Sequence, residues 1–380
     1  MSDFKIKQRV TTIVAFLVLV GVAGVLVMVS GVVPIKASSG HWPVTRWVLN
    51  FSKARSVSTH SMGIKVPPLD DPTLVMKGAG HFETGCVQCH GSPSRPPSPV
   101  ARMMTATPPP LPPKIRVRDP EELFYIVKHG IKFTGMPGWP ALNRDDEVWS
   151  IVAFLLELPE MDGETYRELV VPPGDLDEAV TIEGVLPSIM EACSRCHGTD
   201  GLGRGTGAFP KLAGQSREYL EESLLAYANG DRHSGMMQTL AAILSPAAMA
   251  QLAEHYATLS PSVAGNAADV ESSQSISAQR IERGRRIAET GLPDQDVPSC
   301  IDCHGPGEDL RADEYPRLAG QYADYLELQL RLFKSGDRGG SDTADLMSPV
   351  VTGLTEEDMK DVAAYYASLS WHGESQQVSD

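Results

Sequence analysis

The longest apolar run in the chain is also the first. Val10 to Val33 carries no charged side chain and consists largely of Val, Leu, Ile, Ala and Gly. A run of this length suffices for a helix that crosses a bilayer. Lys5, Lys7 and Arg9 precede it, and positive charge on that side keeps the N-terminus cytoplasmic. The competing reading is a cleaved signal peptide, whose apolar core is normally only about 7–15 residues long. Ile35 to Gly40 offers a weak small-residue cleavage site, so an uncleaved single-pass anchor is expected over residues 1–35. Beyond it, Trp42, Trp47, Leu49 and Phe51 interleave with Arg46, Lys53 and Arg55. Aromatic and basic residues just past a span suit the headgroup region. Packing on the next domain is the equal alternative for this linker, residues 36–71.

The remaining pattern is helical. Asp119-Pro120-Glu121-Glu122 opens a helix, with an acidic first turn and Pro near its start. Asp145 to Leu158 spaces Val148, Ile151, Val152, Leu155 and Leu156 at helical intervals. Ser92 to Pro113 is rich in Pro and reads as a loop. Val171-Pro172-Pro173-Gly174 and the small polar stretch Ser260 to Ser277 read as links, and the tail from Gly373 as disordered. The expectation is an all-α chain in which the N-terminal transmembrane helix is followed by three domains, 72–165, 183–260 and 278–371, and a tail, 372–380.

The cysteines change this picture. All six fall in three copies of Cys-x-x-Cys-His: Cys86, Cys89 and His90; Cys193, Cys196 and His197; Cys300, Cys303 and His304. The pattern is that of a c-type haem attachment site. On a helical turn the two thiols share a face; they add to the haem vinyl groups, and the adjacent imidazole turns under the iron. Disulfides, a redox dithiol or half a zinc site use Cys-x-x-Cys as well, but none explains a His after every pair when the chain has only ten. Three covalently bound haem c groups are expected, one per domain. That places the domains in the periplasm, on the outer face of a bacterial inner membrane. A fused apolar ring in each core also fits an aromatic content of only 6%.

The sixth ligand decides the chemistry. Met opposite His suits electron transfer, whereas an open position suits ligand binding or catalysis. In the first domain the candidate is Met136, in the Gly/Pro loop Gly130 to Pro140, with His129, Met103 and Met104 as rivals. The other two domains form an internal repeat. Phe209-Pro210-Lys211-Leu212-Ala213-Gly214-Gln215 matches Tyr315-Pro316-Arg317-Leu318-Ala319-Gly320-Gln321, and Leu244 to Ser260 matches Leu354 to Ser370. Counting back seven residues from Leu244 and from Leu354 gives Met237 and Met347. The shared offset favours Met237 over Met236; His233 is a weaker alternative, and Met249 and Met359 read as core. The Pro210 and Pro316 carbonyls are candidate acceptors for the proximal imidazole Nδ1–H, a bond that fixes ring orientation; ordinary turn prolines are the alternative.

Each domain resembles a class I cytochrome c: attachment site, Met loop, terminal helix. Residues from about 183 to 370 resemble the dihaem cytochrome c4 family, on the Phe/Tyr-Pro-x-Leu-Ala-Gly-Gln motif in both halves and the Tyr-Ala-x-Leu endings. The resemblance implies two domains packed face to face that donate electrons to a terminal oxidase or similar partner. The first domain, with Val127 to Lys132 and Thr134-Gly135-Met136-Pro137, is similar to cytochrome subunits of membrane-bound dehydrogenases.

Charge narrows the partners. The formal net charge is −15, yet residues 1–60 hold seven Lys/Arg against Asp3 alone, so the acidity lies in the body. So acidic a body excludes a nucleic-acid partner and can steer a basic redox protein, although solubility explains it equally. The expected function is a membrane-anchored electron relay between respiratory partners (oxidase, cytochrome complex or dehydrogenase). The alternatives are a subunit of a dehydrogenase complex and, less favoured, a haem peroxidase or reductase.

Overall fold

The computed structural model describes residues 2–33, 35–172, 182, 184–261, 276–305 and 312–370. Most of the two expected links, from Pro173 and from Ser262, and the tail from Gly373 lie outside these residues. Every named element is helical, and two isolated bridges join described residues, Ser92–Arg95 and Leu292–Val297.

Helix α1 spans Ser2–Ser30. Its Lys5–Ser30 portion is long and apolar enough to cross a membrane, and none of it is buried within the chain. It stops short of the apolar run because Gly31 takes φ +66°, a left-handed conformation that ends helices. Helix α2, Pro43–His60, divides the two expectations for the aromatic–basic stretch between its ends. Trp42 and Trp47 are exposed, Trp47 stacking on Phe51 at 5.6 Å. At the other end Val57 is buried and His60 stacks on Tyr125 at 5.7 Å.

The first segment contains α3 (Pro72–Gly85), α4 (Pro120–His129), α5 (Asp145–Glu157) and α6 (Gly163–Val170). Asp71 starts α3 by accepting from Thr73 N at 2.8 Å, a cap of about 1 kcal/mol. Gly130, at φ +65°, ends α4. The Pro-rich stretch expected as a loop contains two short helices, Pro99–Arg102 and Leu111–Ile115. Both have Pro in their first positions, where its fixed φ favours a helix and its missing N–H costs nothing. The core forms where α3 crosses α5, with Phe82 against Phe154 at 5.1 Å and Val148, Ile151 and Tyr166 buried. Gly78 lies at the crossing. A Cβ there would overlap the Ser150 carbonyl and stand 2.8 Å from Phe154 Cβ.

The second segment contains α7 (Pro187–His197), α8 (Arg217–Asn229), α9 (Gly235–Ala241) and α10 (Pro246–Thr258). The third contains α11 (Ala278–Thr290), α12 (Ala323–Ser335) and α13 (Glu356–Ser368), with a short helix, Met347–Thr352, before α13. The repeat read from the sequence carries through: α10 and α13 occupy matching positions, and Met249 and Met359 are buried in them.

The segments are joined by specific contacts. Between the second and third, Gln215 donates Nε2–H to the Arg317 carbonyl (2.6 Å) and accepts from Arg317 N (2.9 Å). Gln321 does the same to Lys211, with both distances 3.0 Å. The two motif glutamines thus form a reciprocal clasp. The first segment packs on the second through the other face of α3, where a Cβ on Gly80 would stand 3.1 Å from Phe209 and 3.2 Å from Cys196 Sγ. Met236 and Leu240 of α9 enter the first segment's core; burying one such side chain contributes about 2 kcal/mol. Arg204 closes the seam from the second segment by donating to the carbonyls of Glu168 (2.8 Å) and Val171 (3.1 Å) at the end of α6.

Candidate haem sites

Each Cys-x-x-Cys-His sequence lies on a helical turn ended by a left-handed glycine. In the second segment it occupies the last turn of α7 and Gly198 follows at φ +80°. In the third it is the short helix Ile301–His304, with Cys300 preceding it and Gly305 following at φ +62°. In the first it is Val87–His90, with Cys86 preceding it and Gly91 following at φ +70°.

The imidazoles are oriented by prolyl carbonyls. His197 Nδ1 donates to Pro210 O at 3.1 Å, and His304 Nδ1 to Pro316 O at 3.0 Å. Donation from Nδ1 leaves Nε2 as the free nitrogen in both rings. His90 differs. Its buried Nδ1 makes no hydrogen bond; burial disfavours the charged ring, and the nearby Pro109 carbonyl offsets only part of this. Pro109 sits in the run Pro108-Pro109-Pro110, where nothing in the sequence distinguishes it.

Four of the thiols are held uncharged. Burial pushes Cys86 and Cys196 up to about 12, and Cys193 and Cys300 up to about 11. Dithiols built for redox exchange have their pKa lowered instead. No disulfide joins the six.

One continuous cavity runs through the second and third segments. Cys193, Cys196, His197 and Met237 line it, as do Cys300, Cys303, His304 and Met347. The structure therefore brings the two sets predicted from the repeat together. It also separates the two adjacent methionines by duty: Met236 borders the cavity but is packed into the first segment's core, whereas Met237 is only half-buried. His233 is engaged elsewhere, with Asn143 Nδ2 2.6 Å from its Nδ1 and its N–H donating to the Asp337 carbonyl at 3.3 Å. Cys86, Cys89, His90 and Met136 are not on this cavity. Met136 is half-buried; of its rivals, Met103 and His129 are exposed and the Met104 methyl lies against Gly135.

Two buried arginines face this cavity. Arg232 donates to Ser223 Oγ (2.9 Å), Tyr325 OH (3.2 Å) and Gln329 Oε1 (3.2 Å). Arg338 donates to Gln329 Oε1 (2.6 Å) and Tyr219 OH (2.9 Å). Among the described residues, neither guanidinium has a carboxylate within 4.0 Å. Burial alone would raise Tyr219, yet Arg338 and Arg232 outweigh it and hold the phenol below its ordinary range. An apolar cavity with two imidazoles, two thiol pairs and two buried guanidiniums that have no carboxylate within 4.0 Å fits a pair of haem groups, whose propionates would supply anions. These arginines went unread in the sequence although a signal was there: Gly230-Asp231-Arg232 and Gly336-Asp337-Arg338 belong to the same repeat as the prolines.

His81 of α3 borders the same cavity and is buried beside Trp139, with ring centroids 5.7 Å apart. Burial lowers it to about 4. Because its folded pKa is depressed, its contribution is complete above about pH 6.5 and is lost as pH falls towards 4. The loss amounts to about 3 kcal/mol. Urea unfolding from pH 7 to 4 is expected to show this slope, and His81→Gln to flatten it; an equal slope in the variant would refute the assignment.

Comparison with known proteins agrees with the local chemistry. The family model "Cytochrome c" matches residues 188–260 and 281–370, and "Cytochrome C oxidase, cbb3-type, subunit III" matches 73–155. A thiosulfate dehydrogenase electron acceptor of Thiomonas intermedia is 34% identical over 182 residues, which cover 48% of this chain and 80% of the relative. Cytochrome c4 of Pseudomonas aeruginosa is 31% identical over 178 residues, covering 47% and 83%. A solved cytochrome c4 of Acidithiobacillus ferrooxidans aligns with TM-score 0.40 at 32% identity, over 47% of this chain and 98% of that one. The repeated attachment turns, the carbonyl-oriented imidazoles, the family models and the two sequence relatives together make the chain a member of the class I c-type cytochromes, with a C-terminal half that resembles the dihaem cytochrome c4 proteins.

Proposed function

We propose that the chain is a membrane-tethered periplasmic cytochrome with three covalent haem c groups, relaying electrons from a dehydrogenase to a terminal oxidase. The single observation that carries this reading is the shared cavity, in which two attachment sites with their Met candidates adjoin while the segment holding the third packs against it. Cys86, Cys89, Cys193, Cys196, Cys300 and Cys303 would hold the thioethers, and His90, His197 and His304 with Met136, Met237 and Met347 would hold the irons. The haem supplies reversible one-electron exchange at iron; the chain fixes its position and tunes its potential. Helix α1 would hold the relay at the membrane, and the exposed Trp42, Trp47 and Arg46 would lie at the headgroups.

A second reading, an electron-transfer subunit of a dehydrogenase complex, is favoured by a relative named for accepting electrons from thiosulfate dehydrogenase. Affinity capture from solubilised membranes separates the two, since a stable dehydrogenase subunit brings its catalytic partner at fixed stoichiometry. For the relay itself, the expected result is three haems per chain and negligible carbon monoxide binding by the reduced protein. A ratio clearly below three, or one equivalent of carbon monoxide per chain, would overturn it.

A further inference from the structure

Glu147 stands in the first turn of α5, but its carboxylate is buried and serves another segment. Oε1 accepts from Ser234 Oγ at 2.6 Å; Oε2 accepts from Gly235 N at 2.7 Å and from Trp139 Nε1 at 2.8 Å. Arg144, 3.3 Å from Oε1, also donates to the His233 carbonyl at 2.6 Å. Ser234 Oγ in turn accepts from Met237 N at 3.2 Å. Gly235 has no room for a Cβ, which would overlap the Trp139 ring.

The first segment therefore engages four successive residues before Met237. Arg144 holds the carbonyl of His233, Glu147 holds Ser234 and Gly235, and the core holds Met236. Met237, the next residue, lines the cavity. A hydrogen bond to a buried carboxylate is stronger than a neutral one, and leaving either partner unmade costs more than the bond contributes. This loop is consequently fixed from outside its own segment. The third segment's loop has less such help: Ser341 accepts from Ala344 N at 3.1 Å, and the one outside carboxylate among the described residues is Glu222 of the second segment, which accepts from Thr343 Oγ1 at 3.4 Å.

We propose that Glu147 is a positioning residue for Met237, so that docking of the first segment sets the axial bond, and with it the potential, of the second segment's haem. The proposal rests on the reading of Met237 as an iron ligand. It acts through the chain from Glu147 to Ser234 to the Met237 amide and involves no contact between Glu147 and iron.

The test uses the full-length holoprotein in detergent. Glu147→Ala is expected to remove about one third of the weak red absorption band of ferric Met-ligated haem, one site in three. It is also expected to shift one of three redox transitions and to admit one equivalent of carbon monoxide on reduction. Glu147→Gln keeps one acceptor oxygen for the N–H groups of Gly235 and Trp139 and turns its amide to the Ser234 hydroxyl, which can accept, so its effect should be smaller and at the same site. Met347 serves as the internal control, since its haem should be unchanged. Met237→Leu separates the two ideas. If it opens no iron, the ligand reading fails. If it opens one while both Glu147 variants keep the full band and all three potentials, the positioning role is wrong. Should Glu147→Ala fail to fold, Glu147→Gln decides alone.

Discussion

Valine at position 78 should disrupt the first segment's core, with a loss of about 3 kcal/mol or more. The reason is the identity of the neighbours. The new Cβ would stand 2.6 Å from the Ser150 carbonyl carbon and 2.8 Å from Phe154 Cβ, and the backbone of α5 cannot swing aside as a long side chain would. Gly284 repeats the situation in the third segment, where a Cβ would lie 2.5 Å from the Asp361 carbonyl carbon and 2.9 Å from Tyr365 Cβ. Gly284→Val is expected to cost a similar amount. Gly80→Ala is the contrast, because its neighbours belong to the second segment; it should loosen docking and leave the α3–α5 crossing intact. Urea unfolding with hydrogen exchange measured per segment checks all three. A shift below about 0.5 kcal/mol for both valine variants would contradict the helix crossings described above.

The second large effect is expected at the glutamine clasp. Gln215→Leu removes the acceptor of Arg317 N and the donor to Arg317 O in one step. Each buried group left without this partner costs about 1–3 kcal/mol, so the variant should lose roughly 2–5 kcal/mol of stability at this interface. Gln321→Leu acts in the same way on Lys211. Both glutamines serve one interface, so the double variant should depart from additivity. Hydrogen exchange gives the local readout: the Arg317 amide should lose protection in the first variant and the Lys211 amide in the second. Protection unchanged in both would show that the clasp does not hold the halves together. Lys211 and Arg317 each follow a proline whose carbonyl orients an imidazole, so loosening the clasp should also disturb the His197 and His304 rings.

Much of the helical layout was legible in the chain, and the reasons are local. The charge-free run announced α1, the 3.6-residue spacing of Val148, Ile151 and Leu155 announced α5, and the repeat offset favoured Met237 before any contact was known. In the structure Met236 is packed into the first segment's core and Met237 lines the cavity. The joints between segments were not legible. Glu147 and Ser234 are 87 positions apart, and an acidic residue in a helix's first turn reads as a complement to the helix dipole. Glycine costs a helix interior stability when considered locally, and the value of Gly78 and Gly284 lies in the close approach of a second backbone. Within the Pro-rich stretch the same residues that signal a loop also begin the two short helices, and only the tertiary fold chooses between these outcomes. Arg232 and Arg338 were missed for a different reason: buried cations are rare, and nothing in one dimension shows that two of them face a common cavity.

The clasp formed by Gln215 and Gln321 reads the same from either side, and taken alone it would make the two halves interchangeable. The first segment ends that equivalence. It occupies the seat around Met236, while Leu346, at the matching place in the repeat, remains 57% exposed. A self-complementary pair with one seat filled has a head and a tail. Two attachment sites written with nearly the same residues thereby acquire different surroundings, and the haems proposed for them would not be equivalent.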